Sequence, residues 1–228
     1  MDGQFSPGQN VQMIDRGTQA PPAASNASAF TLALLNSANG GQTTSASHTS
    51  RGLGTAAADR RIYALISTLS SGGTNTLSSV VIAGQAATIH RQRTTGNIAA
   101  AIASAVVTTG TSGDVTWTNS VSSYSRLTLY RATGITTAAS NATDDVTNIL
   151  NMTLNVPAAG GVLAVASNRN RGASTWSGIT EEFDDDMFSS DHSSGGSIID
   201  LAADATYAIS CDAPTSGNEA VGVAISIL

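Results

Sequence analysis

Apolar residues come in short runs from Ile62 onward, separated by clusters of Gly, Ser, Thr and Asn. Residues 1–58 carry only one such run. The stretch Asp59–Arg93 sets the pattern: an apolar run Ile62–Leu69, a Gly72-Gly73 turn, a second run Leu77–Ala83, a tight turn at Gly84-Gln85, and an alternating segment Ala86–Gln92. Runs rich in Ile, Val, Leu and Thr with Gly and Ser between them predict strands joined by hairpins. The pattern predicts further strands over Ile98–Val107, Asp114–Thr118, Ser123–Ala132, Val146–Val156 and Val162–Ser167. Others follow over Thr175–Glu182, Ser197–Ala202, Ala205–Cys211 and Ala220–Leu228.

Alternation sharpens several of these. Leu127 and Leu129 fall on one face, with Arg126, Thr128 and Tyr130 on the other. Val146, Leu150, Met152, Leu154 and Val156 share parity, as do Val221, Val223, Ile225 and Ile227. In Asn97–Val107 the alanine content suits a helix; its strand-like surroundings favour a strand with small side chains on one face. Many short strands without long helices predict an all-β fold, an antiparallel sandwich of jelly-roll or immunoglobulin-like kind. It is expected over residues 59–228. Residues 1–58 read as an extended N-terminal arm, with Pro7, Pro21 and Pro22, and one apolar island, Phe30–Leu35. Asn36–Thr55 has the composition of a linker.

Composition narrows the function classes. Charged residues make up 11% of the chain and aromatics 4%, so Val, Ile, Leu and Ala must fill the core. A polar but uncharged surface suits close contact with neighbouring subunits, because little charge has to be desolvated. All ten basic residues are Arg; with so few charges the absence of Lys reads first as chance, and second as a surface built for planar, bidentate contacts. A net charge of −6 argues against direct nucleic-acid binding, whose phosphates need a basic stripe. No apolar run approaches the ~20 residues of a membrane helix. No basic n-region or apolar h-region opens the chain, so cytosolic synthesis is expected. Cys211 has no cysteine partner within the chain and reads as a small buried hydrophobe.

Candidate chemistry is thin. The acidic cluster Glu181–Asp191 is the one concentration of charge, and Glu181, Asp184 and Asp186 are its candidate metal ligands. It lacks the D-x-D-x-D-G pattern with a closing Glu, and a solvated loop between strands is expected instead. His48, His90 and His192 are far apart, and no nucleophile elbow, H-E-x-x-H or P-loop occurs. Neither enzymatic activity nor a cofactor is expected. Trp117 and Trp176 offer sugar-stacking faces if exposed, and core packing if not. Phe5, Phe30, Leu32 and Leu34 on the arm, with Arg60, Arg61, Arg91 and Arg93 flanking the first hairpin, are the candidate partner-binding residues.

The pattern DRRIYALIST, LSSVVIAGQAATIHRQR, NIAAAIASAVV, DVTWTNS, RLTLYRATG and MTLNVPAAGGVLAVAS, with its V-x-I-A-G-x-A-A-T hairpin and later N-V-P-A-A-G-G-V, resembles β-sandwich modules of tailed-bacteriophage structural proteins. The resemblance implies a virion protein assembled in the host cytoplasm. Its expected partners are the major capsid protein, other virion subunits and further copies of itself. Two roles are implied: capsid decoration with docking through the arm, or a tail-fibre or spike module that binds a host surface glycan or receptor.

Overall fold

The computed structural model describes residues 30–147, 149–169, 172–189, 191–212 and 219–228. Among these residues there is no helix. The strands are β1 (Thr31–Gly52), β2 (Arg61–Ser70), β3 (Leu77–Ile82), β4 (Gln85–Ala86), β5 (Thr88–Thr95), β6 (Ile98–Val106) and β7 (Ser112–Thr133). They continue as β8 (Asn141–Asp145), β9 (Ile149–Val156), β10 (Gly160–Asn168), β11 (Thr175–Ser177), β12 (Thr180–Phe188), β13 (Asp191–Leu201), β14 (Asp204–Asp212) and β15 (Ala220–Ile227). The first seven make one sheet; β12-β13-β10-β15-β8 make a second, and β11-β14-β9 a third. All pairings are antiparallel, so the predicted class is the observed one.

The long strand β7 is the spine of the first sheet. One edge bonds β1 from Thr31↔Thr133 to Gly52↔Ser112. The other edge is shared: β2 takes Ser123–Ala132 and β3 takes Val115–Asn119. Between them the strand turns a corner. There Asn119 Oδ1 accepts from the Trp117 indole (3.0 Å) and from Asn75 Nδ2 (3.1 Å), while Asn119 Nδ2 donates to the Thr43 carbonyl (3.1 Å). Asn75 Oδ1 accepts from the Val121 backbone N–H (3.3 Å). Side chains thus complete backbone bonding that the bent ladder leaves open. The polar break that separates Asp114–Thr118 from Ser123–Ala132 in the sequence is a corner within one strand.

Residues 1–29, and Phe5 with them, lie outside the described residues. The rest of the expected arm differs from the expectation. Asn36–Gly52 is strand, continuous with the apolar island, and pairs with β7 along its length with four register shifts. Its side chains give no apolar alternation because most of them face solvent. The ribbon also coils on itself. Arg51 donates to Asn36 Oδ1 through both Nε (3.0 Å) and an Nη (2.7 Å), and Asn36 Nδ2 donates to the Gly52 carbonyl (2.7 Å). A straight strand would hold residues so spaced about 50 Å apart, at ~3.3 Å per residue. The sheet is therefore curled into a nearly closed barrel within the all-β, sandwich-type fold that was expected.

Two-sided burial explains the strongest sequence signals. β2, β6, β10 and β15 are buried over nearly their whole length. Ile62, Ala64 and Ile66 of β2 and Ala99, Ala101, Ala103 and Ala105 of β6 point into the barrel with Val115, Leu127 and Leu129. The alternate residues Tyr63, Leu65, Ile98 and Ile102 face the second sheet, meeting Leu163, Val165, Val221, Val223, Ile225 and Ile227. The far side of that sheet packs Val162, Ala164 and Ala224 on Leu150, Met152, Leu154 and Ile209 of the third. The segment Asn97–Val107 is a strand, and its alanines are the small side chains that let the barrel close. Val146, expected on the face of Leu150, instead packs toward the first interlayer, because β9 begins only at Ile149.

The first hairpin turns one residue earlier than expected, at Ala83-Gly84, with Ile82↔Gln85 closing it. Both turn residues have positive φ, 50° and 78°, the geometry that matches the right-handed twist of a two-residue hairpin. Missing from the sequence reading is β8, whose NATDD carries no apolar run.

Candidate functional site

The acidic cluster forms a strand. β12 pairs with β13, and Asp186 lies directly across from His192. Strand geometry sends successive carboxylates to opposite sides. Asp184 and Asp186 bracket the His192 ring, with Asp184 Oδ1 3.0 Å from Nδ1 and Asp186 Oδ1 3.1 Å from Nε2. Asp185 turns the other way and pairs with Arg126. A bulge between Glu181 and Phe183 frees Glu182 to accept from the Tyr130 hydroxyl (2.8 Å) and from Ser197 Oγ (2.6 Å). Burial and the Glu182 charge both raise the Tyr130 pKa, so the phenol holds its proton and donates. Phe183 then drops into the interlayer against Gly195, where a Cβ would come within 2.8 Å of its ring.

The three candidate metal ligands are each engaged within the fold, Asp184 and Asp186 on the same His192 ring. Glu181 accepts from the Trp176 N–H (3.3 Å), Asp184 from the Ser174 N–H and His192, and Asp186 is held by His192. Among the described residues no three His, Cys, Asp or Glu side chains group as metal ligands.

The residues expected at a partner surface divide. Arg60 is fully buried, and its five N–H groups reach five backbone carbonyls: Val107 (2.6 Å), Leu53 (3.3 Å), Gly54 (2.9 Å), Thr109 (2.6 Å) and Gly110 (2.8 Å). That is the full donor capacity of a guanidinium. It staples one end of the barrel and has no surface for a partner. Arg61 donates to Ser104 Oγ (3.0 Å). Arg91 and Arg93 converge on Asp144 of β8, tying the barrel's edge to the second sheet. Phe30 is buried in the interlayer and Leu32 packs against it, whereas Leu34 is exposed.

The aromatic residues also change roles. Trp117 is 2% exposed and stacks on His48 with centroids 5.2 Å apart; Trp176 is 8% exposed and donates to Ser194 Oγ (3.1 Å). Neither indole offers a free face for a sugar. Cys211 is buried with its thiol pKa pushed up to about 12 by burial, the inert hydrophobe expected.

What the sequence reading missed lies where the ends of the first and second sheets meet. A cleft of about 330 Å³ opens there, lined by Leu69, Ser70, Ser71, Asn97, Tyr124, Arg169, Phe188, Ser189 and Asp191. Phe188 stacks on Tyr124 with centroids 4.0 Å apart and planes 10° from parallel, yet remains 45% exposed. Asn97 Nδ2 donates to the Ser70 carbonyl (3.2 Å), while its Oδ1 is buried without a partner. The lining comes from five separate strands and turns, so no spacing in the sequence announces it. Two further depressions of about 230 Å³ lie along β1, lined mainly by Gly, Ser, Thr and Ala.

No family model matches the chain, and neither a curated protein nor a solved structure is similar enough to match it.

Proposed function

We propose that the chain is a non-enzymatic structural protein of a virus particle, a decoration protein that docks on the capsid through its N-terminal segment and the adjoining β1. The observation that carries this reading is β1 itself. It is a 22-residue edge strand in which Thr, Ser, Asn and Gly predominate, with no acidic residue, on a chain of net charge −6. An edge that is polar, largely exposed and nearly free of charge meets another protein surface with little desolvation cost. The sequence resemblance supplies the particle as the setting.

Deleting residues 1–58 would remove β1 and the buried Phe30, so it would not test docking alone. A chain shortened by residues 1–29 keeps β1 whole. Copy number per purified particle tests the reading directly. Hundreds of copies, with attachment weakened in the shortened chain, are expected; a handful of copies favours a fibre, and none overturns the reading.

A further inference from the structure

We infer that the bulge at His90 is an acid-sensitive latch on the barrel: protonating its imidazole sets a second cation on the Ser104 hydroxyl that already accepts from Arg61, and loosens β5 from β6. The latch uses no part of β1, so it stands or falls apart from the docking reading.

Strand pairing brings the three side chains together. β5 and β6 pair from Thr88↔Ser104 to Thr95↔Ile98, with a register shift between Ile89↔Ala103 and Arg91↔Ile102. His90 is therefore the extra residue of a bulge, and a bulge re-aims the side chain it carries. Its Nε2 lies 2.7 Å from Ser104 Oγ. Arg61 of β2 donates to the same oxygen through an Nη (3.0 Å). A guanidinium only donates, so Ser104 accepts from Arg61 and has one hydrogen of its own to place. Ser104 is 1% exposed, and His90 Nε2 is the acceptor within reach. The hydroxyl is satisfied both ways when Nε2 is bare and the ring carries its proton on Nδ1.

A second proton undoes this. Nε2–H and the guanidinium then donate to one oxygen, and the Ser104 hydrogen loses its acceptor inside the fold. The surroundings offer the charged ring no compensation. Tyr63 of β2 lies beside it with centroids 6.3 Å apart, but donates its hydroxyl to the Ala138 carbonyl (3.0 Å), and burial keeps that phenol neutral. β3, β6 and β15, which pack on β5, carry no ionisable side chain. On β8, Asp144 is held by Arg91 and Arg93 of β5 itself, and Asp145 accepts from the Val146 and Asn151 N–H groups and the Thr147 hydroxyl. Among the described residues no carboxylate pairs with His90. Burial, then the Arg61 charge, accordingly lower the His90 pKa from its ordinary value. The unfolded chain takes up the proton first. The contribution of His90 to stability is complete above about pH 6.5 and is lost as pH falls through the lowered folded value. Arg91 and Arg93 follow His90 on the same strand, so their tie to β8 loosens with the latch.

Two measurements on the full chain test the latch. Long-range proton–nitrogen NMR of the imidazole at about pH 7.5 is expected to find His90 Nε2 bare and Nδ1 protonated; the opposite tautomer overturns the bonding. Hydrogen exchange, corrected for the intrinsic pH dependence of amide rates, is then followed from about pH 7.5 to about pH 4.5. Amides of Thr88–Thr95 are expected to lose protection while those of β10 and β15 keep theirs. His90→Gln has no group to titrate there and should abolish the acid loss in β5. Arg61→Gln keeps a donor for Ser104 without its charge and should diminish that loss, which makes it a second control should His90→Gln fold poorly. Protection in β5 that persists to the lowest pH, or an acid loss that is the same in the parent and either folded variant, overturns the latch.

Discussion

The barrel interior and the interlayer beneath it are both buried, but they are built differently. Toward the barrel, the second sheet presents Leu163, Val165, Val221, Val223, Ile225 and Ile227. Inside the barrel, alanines and a few larger apolar residues share the space with His48, Arg60, Asn75 and Asn119, each at most 5% exposed. Between two sheets, straight strands pair fully and the buried surface needs only shape and apolarity. A ribbon that coils and turns a corner leaves carbonyls and N–H groups that no strand reaches. Directional side chains must complete them. The barrel therefore leans more on directed hydrogen bonds and the interlayer more on packing, with Ser67–Ser193 (2.8 Å) and Tyr130–Glu182 (2.8 Å) as polar ties between its sheets.

Arg60→Met should be the most damaging way to probe that contrast. Methionine keeps volume but strands five carbonyls, each buried acceptor costing about 1–3 kcal/mol when unpaired and partly recovered by local relaxation. A net loss on the order of 4 kcal/mol is expected in denaturant unfolding. Hydrogen exchange should show protection lost first at Leu53 and Val107, whose backbone bonds to Thr111 and Arg60 flank the guanidinium. β10 and β15 should keep theirs. If all amides lose protection together, the two regions are one cooperative unit and the contrast fails as an energetic statement.

Acid provides a milder probe of the barrel alone. His48 is buried against Trp117, and burial, followed by the nearby Arg51 and Arg126 charges, lowers its pKa from 6.5 to about 4. The unfolded chain therefore takes up the proton first. Stability contributed by His48 is complete above about pH 6.5, falls as pH drops towards about 4, and changes no further below that. The full effect is at most on the order of 3 kcal/mol. His48→Phe keeps a ring on Trp117 without a titrating group. Its stability difference between pH 7 and pH 4 should be smaller than that of the parent. Part of the slope will persist, since burial and Arg61 also lower the pKa of His90. An unchanged slope would mean that His48 is not the barrel's acid-sensitive group.

The same contrast explains which parts of the fold were legible in the sequence. β2, β6, β10 and β15 announce themselves because two-sided burial makes them continuous apolar runs. β1 and β8 are strands by virtue of their neighbours' backbones, and TLALLNSANGGQTTSASHTSRG and NATDD carry almost none of that information in their side chains. β12 reads as a loop because its carboxylates mask a strand whose apolar contribution is only Phe183 and Met187. At the site level, a pair such as Arg60 and Val107 is invisible for a related reason: its acceptors are carbonyls, which every residue has. The Tyr124–Phe188 stack joins residues far apart in the chain, and only the meeting of two sheets brings them together.

Arg91→Ala should have the smallest effect, although it removes an ion pair. Arg91 and Arg93 both approach Asp144, and their side chains are 43% and 49% exposed. Water already solvates much of each guanidinium, so the pair gains little over its separated state. Arg93 also stays beside Asp144 when Arg91 is gone. A loss below about 1 kcal/mol is expected, shrinking further as added salt screens the exposed charges. The comparison with Arg60→Met starts from the same residue type in two surroundings: half-exposed against a carboxylate in one case, fully enclosed by neutral carbonyls in the other. Should the two substitutions cost the same in urea titrations at low and high salt, burial and directed bonding would not be what distinguishes the barrel's arginine. The tie between the barrel edge and β8 would then carry as much of the fold as the staple at its end.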